Sequence, residues 1–162
     1  MNMAIGQGEM LVTPMGMLGV VMALSNGGKF YKPYYVDKVV SNDGKIILKN
    51  EPQIIGTINL RKETYDIIYR AMRAVVKEGT GKNCDIKDVE VYGKTGTAQN
   101  PHGKDHAWFI AFAKKEGYNP IAVSVFVEHG EHGSSASAPI ARTVIKEYFK
   151  SQDEIIKIEV TE

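Results

Sequence analysis

The chain has 162 residues, 43% hydrophobic and 24% charged, with a formal net charge of +1. That length suits one domain with a core of useful size. The near-zero charge, with no Lys/Arg block interleaved with aromatics, argues against a nucleic acid or an anionic membrane as partner. The single cysteine, Cys84, excludes an internal disulfide. It reads either as a reactive thiol beside Lys82 and Lys87 or, more simply, as an incidental surface residue. The longest apolar stretch, 15–24, is too short and too broken by glycine to span a membrane. No leader is readable at Met1, so a cytosolic protein, or a piece whose targeting segment lies elsewhere, is expected.

Residues 1–9 read as loop. Gly6-Gln7-Gly8 is half of a dinucleotide fingerprint, but Leu11 stands where the third glycine belongs and no strand precedes it. Thr13-Pro14 is a helix start, a hydroxyl cap followed by proline at the first helical position. Met15, Leu18, Val21, Met22 and Leu24 keep helical spacing, and Asn26-Gly27-Gly28 stops the helix. Gly16 and Gly19 share a face with little bulk, where another element can come close. Residues 30–50 read as a hairpin turning at Asn42-Asp43-Gly44, and 51–57 as a connector. An amphipathic helix is predicted over 60–78, with Asn59 as its candidate cap, Ile68, Met72, Val75 and Val76 on one side, and Gly79-Thr80-Gly81 as its end.

Three strands follow, over about 90–99, 107–114 and 120–128. The last two are near-continuous apolar runs, the pattern of strands covered on both faces. A Gly/Ser/His loop over 130–136 leads to Ser137 as cap, Pro139 in the first turn, and a final helix with Ile140, Val144 and Tyr148 at i, i+4 and i+8. Residues 151–162 are charged and read as a loosely held tail. The order helix, hairpin, helix, three-strand meander, helix makes an α+β domain, an antiparallel sheet flanked by helices. Such apolar strands call for more sheet neighbours than the chain provides.

The chemistry concentrates in Gly93-Lys94-Thr95-Gly96-Thr97: one cation, two hydroxyls and two glycines in five residues. By the two-residue period of a strand, Thr95 and Thr97 point to one face, about 7 Å apart, where both hydroxyls can grip one carboxylate. Gly96 leaves room for a ligand along the strand. Lys94 projects from the other side of the pleat and supplies positive potential. The Thr97 N–H, on an unpaired edge, can donate to an oxyanion. A phosphate-loop reading fails, because Asp88 stands where its first glycine belongs and a strand, not a helix, follows.

Lys94-Thr95-Gly96-Thr97 resembles the third active-site motif of penicillin-binding transpeptidases and their β-lactamase relatives. Surrounding stretches match in order. Residues 6–14 and 22–28 are similar to a helix and loop of the class B enzymes, 93–99 and 106–113 to their motif strand and its neighbour, and 138–141 to the start of their last helix. Residues 100–106 most resemble the elongation-type class B enzymes. The resemblance covers about 2–150 and implies the C-terminal part of the β-lactamase/transpeptidase-like fold, with 1–150 as that part and 151–162 as a tail.

The family's nucleophile lies in a Ser-x-x-Lys motif and its second motif is Ser-x-Asn. None of Ser25, Ser41, Ser124, Ser134, Ser135, Ser137 or Ser151 begins either pattern. In the family both precede the stretch at 6–9, so the rest of the same domain is an expected partner, and its absence accounts for the missing sheet neighbours. The implied reaction is acyl transfer: a serine attacks the D-Ala-D-Ala carbonyl of a peptidoglycan stem peptide, releases D-alanine and passes the acyl group to an amine. In that scheme Thr95, Gly96 and Thr97 hold the terminal carboxylate or a β-lactam. Lys94 adds charge near the second motif's serine, and the Thr97 N–H is half of the oxyanion hole. His102 and Asp105 fall near the cleft rim. The resemblance implies no cofactor. It places the parent protein on the outer side of a bacterial inner membrane, held by an N-terminal anchor and working with cell-wall elongation proteins. Two alternatives are a noncatalytic module binding cell-wall peptide or a partner protein, and β-lactamase or carboxypeptidase chemistry on the same scaffold. The four histidines pair as His102 with His106 and His129 with His132. A meander brings His106 and His129 to one end of the sheet, as loop histidines or, with Asp105, Glu128 and Glu131, as a metal site.

Overall fold

The computed structural model describes residues 10–161, without the side chains of 155–161. The expected loop over 1–9, with its Gly6-Gln7-Gly8 and the first part of the resemblance, lies outside the described residues. In chain order the elements are α1 (Pro14–Ser25), β1 (Lys29–Tyr31), β2 (Lys38–Val40), β3 (Ile46–Lys49), β4 (Ile54–Thr57), α2 (Lys62–Lys77), β5 (Glu90–Ala98), β6 (His106–Lys114), β7 (Ile121–Val127) and α3 (Ala138–Thr161).

Strands β5, β6 and β7 form an antiparallel meander. Its register runs without a bulge from Glu90 opposite Lys114 to Ala98 opposite His106, and from Ala107 opposite Val127 to Ala113 opposite Ile121. Because alternate residues of β6 face opposite ways, the sheet carries a core on each side. On the α3 side, Phe109, Ala111, Ala113, Val91 and Val123 pack with Val76, Cys84, Ala141, Ile145 and Phe149. On the other side, Phe112 packs with Val21 of α1 and Met72 of α2, flanked by Tyr69, Tyr92 and Ile110. Phe109 and Phe112 are both fully buried, and each contributes about 1.5–3 kcal/mol of burial free energy. The α+β architecture is thus the expected one.

Helix α1 starts as the sequence predicts. The Thr13 Oγ1 accepts from the Gly16 N–H at 3.0 Å and Pro14 opens the helix. Gly27 and Gly28 end it with φ of +78° and +96°. Gly19 is the close-approach glycine, since a Cβ there would lie 3.5 Å from the Phe30 ring.

Several local expectations are corrected. The hairpin is real but short, β2 pairing with β3, while the expected connector contains β4, which pairs antiparallel with β1. Arg61, not Asn59, caps α2, and it does so without a side-chain hydrogen bond. Residues 133–137 form a π-helical turn that runs straight into α3, so Ser137 is not a cap; it is fully buried. The buried stripe of α3 is Ala141, Ile145 and Phe149, one residue round from the expected one, and Ile140 and Val144 are exposed. Strand β7 is only half covered, with Val123 its one buried residue. Residues 151–161 continue α3 as helix rather than trailing as a tail, and Asp153 accepts hydrogen bonds from Lys115 and Tyr118.

Candidate functional site

Lys94, Thr95, Gly96 and Thr97 occupy the second half of β5, the outer strand of the meander. Among the described residues only β6 pairs with it. An antiparallel strand with one neighbour sends the N–H and C=O of every second residue away from the sheet; on β5 the Val91 carbonyl accepts from the Arg73 guanidinium at 2.9 Å. Thr95 is half-buried, and Lys94 and Thr97 are exposed. The Lys94 ammonium reaches along the strand and donates to the Thr95 carbonyl at 2.6 Å.

The glycines of the motif are there because neighbours press on the strand. A Cβ at Gly93 would lie 2.5 Å from the Phe109 ring, and one at Gly96 would lie 3.1 Å from the Trp108 Cβ. The π-helical turn presses from α3: a Cβ at Gly133 would lie 2.2 Å from the Trp108 carbonyl oxygen and 3.0 Å from that of Gly96. Contact of this kind leaves no room for a side chain and fixes the strand's height against α3.

Two residues of this arrangement are not singled out by the sequence. Gly133 stands in a Gly/Ser-rich loop. Thr80 belongs by its sequence to a helix stop, yet its Oγ1 lies 2.7 Å from the Thr95 Oγ1. The available signal was a threonine held between two glycines; nothing local ties it to β5.

Beyond Ala98 the chain turns through 99–105 and returns as β6. Asn100 organises this turn. Its backbone N–H donates to Asp105 Oδ1 at 3.1 Å, its Oδ1 accepts from the His102 N–H at 3.0 Å, and its Nδ2 donates to the Lys104 carbonyl at 3.3 Å. The Asp105 carbonyl accepts from the Glu131 N–H at 2.9 Å, tying the turn to the loop after β7. His106 and His129 do meet at this end of the sheet, ring centroids 5.1 Å apart, with the His129 N–H donating to His106 Nδ1 at 3.0 Å. Among the described residues no three His, Cys, Asp or Glu side chains gather to hold a metal; these histidines bind each other's loop. The exposed His102 and the partly covered Asp105 thus lie in the turn that follows the motif strand.

Cys84 is not the surface residue expected. It is fully buried in the α3-side core, and burial pushes its thiol up to about 12. A neutral, enclosed thiol is no nucleophile. A cleft of about 830 Å³ opens at the far end of β5, lined by Arg73, Glu90 and Lys114 among others; none of Lys94, Thr95, Gly96 or Thr97 lines it.

Comparison with known proteins places the chain in a family. The penicillin-binding protein transpeptidase domain matches residues 1–146. Stage V sporulation protein D of Bacillus subtilis is 32% identical over 156 residues, covering 89% of this chain and 24% of its own length. Peptidoglycan D,D-transpeptidase MrdA of Haemophilus influenzae is 26% identical, over 93% of this chain and 26% of its own. Among solved structures, the imipenem acyl-enzyme complex of penicillin-binding protein A from Mycobacterium tuberculosis superposes with a TM-score of 0.77 at 28% identity, over 90% of this chain and 33% of that one. PBP2 of Pseudomonas aeruginosa, in complex with WCK 5153, gives 0.72 at 32% identity, over 91% of this chain and 32% of that one. The chain therefore belongs to the penicillin-binding protein transpeptidase family, and its architecture is that of part of such a domain. It spans between 24% and 30% of the length of the first curated relatives it matches.

Proposed function

We propose that this chain forms the carboxylate-binding and oxyanion-stabilising wall of a peptidoglycan D,D-transpeptidase of the class B elongation type. The observation that carries the reading is Lys94-Thr95-Gly96-Thr97 on a strand edge that no other strand pairs among the described residues. In this reading the Thr95 and Thr97 hydroxyls hold the C-terminal carboxylate of a D-Ala-D-Ala stem peptide, or the equivalent carboxylate of a β-lactam. The Lys94 ammonium supplies positive potential to the serine of the second motif. The Thr97 N–H donates to the oxyanion that forms as the scissile carbonyl becomes tetrahedral, where a fixed donor lowers the barrier most. His102 and Asp105 stand at the rim. Relatives named peptidoglycan D,D-transpeptidases support this reading, as do relatives solved as acyl-enzymes with imipenem and penicillin G.

The 162 residues contain no Ser-x-x-Lys. The acylating serine and the second-motif serine then belong to the remainder of the domain, which is the chain's first partner. Cell-wall elongation proteins are the further partners, and the working site is the outer face of the bacterial inner membrane. This chain alone therefore binds without acylating. Two measurements test the reading. Titration of ¹⁵N-labelled chain with diacetyl-L-Lys-D-Ala-D-Ala at millimolar concentration shifts the amides of 94–99, and Lys94→Ala weakens the effect. Fluorescent penicillin leaves no covalent band on a denaturing gel. A titration that leaves 94–99 unmoved overturns the wall, and a labelled band overturns the assignment of the nucleophile elsewhere.

A further inference from the structure

Thr80 lies outside the motif, on the loop that ends α2, yet its hydroxyl oxygen is 2.7 Å from that of Thr95. We infer that Thr80 is a positioning residue for the carboxylate wall, orienting the Thr95 hydroxyl so that its proton points at the ligand. The inference rests on the carboxylate-binding reading above.

The loop is built to hold Thr80 still. A Cβ at Gly79 would lie 3.0 Å from the Val75 backbone, and one at Gly81 would lie 3.1 Å from Val75 and 3.3 Å from Phe109. The Gly79 N–H donates to the Ala74 carbonyl at 3.0 Å and the Gly81 N–H to the Val75 carbonyl at 2.8 Å. Immediately beyond, the short 3-10 turn Lys82–Cys84 buries Cys84 in the core. Thr80 thus stands on a backbone clamped at both sides, while β5 is fixed by its full ladder with β6. Two hydroxyls on two rigid supports can form one hydrogen bond in one geometry.

The direction of that bond decides the chemistry. A hydroxyl has one proton to give and two lone pairs. If Thr95 donates to Thr80, it has nothing left for a carboxylate, which only accepts. A carboxylate along β5 therefore selects the opposite arrangement, with Thr80 donating to Thr95 and Thr95 donating to the ligand. Consecutive hydrogen bonds in one direction polarise one another, so the second is stronger for the first. The pair favours an acceptor-only group at this position.

The test uses the chain itself with two substitutions. Thr80→Val keeps the shape and removes the hydroxyl; Thr80→Ser restores it. Three-bond couplings to the Thr95 methyl carbon report its χ1. They are expected to give one rotamer in the wild type and in Thr80→Ser, and an average in Thr80→Val. The dissociation constant for diacetyl-L-Lys-D-Ala-D-Ala is expected to rise about 3- to 10-fold in Thr80→Val, the worth of one hydrogen bond, and to return in Thr80→Ser. A single Thr95 rotamer retained in Thr80→Val overturns the inference, as does unchanged affinity despite averaging. A wild type that ignores the peptide while its Thr95 rotamer still depends on Thr80 overturns the carboxylate reading instead, and with it the ligand role of the pair.

Discussion

Gly133→Ala is the substitution with the most definite expected outcome. The added Cβ would sit 2.2 Å from the Trp108 carbonyl oxygen and 3.0 Å from the Gly96 carbonyl oxygen. Ordinary heavy-atom contact needs an opening of about 1 Å at the first of these. A side chain could rotate away, but both obstacles are backbone. Trp108 lies on β6, held between β5 and β7, and opposite Gly96, so the sheet cannot yield and the π-helical turn must lift. Overpacking in a core costs about 1–3 kcal/mol; with a rigid backbone on one side the upper end applies, about 3 kcal/mol. For a chain of this length that corresponds to a melting temperature lower by about 6–12 °C. Urea denaturation gives the free energy, and the amide shifts of Gly96 and Trp108 report the displacement. Gly56→Ala is the control, because its Cβ meets nothing closer than Phe30 at 4.0 Å, and it is expected to be near neutral. A Gly133→Ala chain within about 0.5 kcal/mol of the wild type, with unmoved Gly96 and Trp108 amides, would refute the claim that the turn bears on the strand.

Thr13→Ala removes the side-chain acceptor for the Gly16 N–H; a loss of about 1 kcal/mol is expected in urea denaturation, with faster hydrogen exchange confined to the first turn of α1. The Cys84 thiol, pushed up to about 12 by burial, is expected to resist thiol reagents at pH 8 until the chain unfolds, and labelling that outpaces unfolding contradicts its burial. The same shift sets a pH dependence. The thiol stays neutral in the fold while the unfolded chain ionises it, so stability is full below the unfolded value near 8.5 and falls as pH rises toward 12. Cys84→Ala should flatten that alkaline decline. Asp153→Ala removes the acceptor for Lys115 and Tyr118; with the group part-exposed, the loss is expected to stay within about 1 kcal/mol, and hydrogen exchange beyond 150 should quicken while that of 138–149 does not.

The parts of the fold that were legible in the sequence are those fixed by local pattern. β5, β6 and β7 fell within a residue or two of their expected bounds because apolar runs between turn residues have few other readings. Thr13-Pro14 announced α1 because capping is a contact within four residues. The motif was legible for the same reason: its residues are contiguous. What was missed depends on distant partners. β4 is a strand because β1 lies beside it, although Gly56 and Pro52 speak for a connector. The α3 stripe lies one residue round from the spacing's expectation because the small Ala141, not the bulkier Ile140, faces the sheet. Thr80 and Gly133 join the site only through contacts with β5 and β6, which no spacing along the chain encodes.

The contact of Gly133 with the motif strand has a practical consequence. The three atoms nearest a Cβ there are backbone atoms of Trp108 and Gly96, so this close approach does not depend on which side chains the strand displays. The residues that bear the support, Gly96 and Trp108, are not those that carry the two hydroxyls and the cation. Thr95, Thr97 and Lys94 can therefore be exchanged one at a time while α3 still seats the strand at the same height. Under the proposed carboxylate-binding reading, the binding chemistry of this strand can be dissected without dismantling the scaffold that presents it.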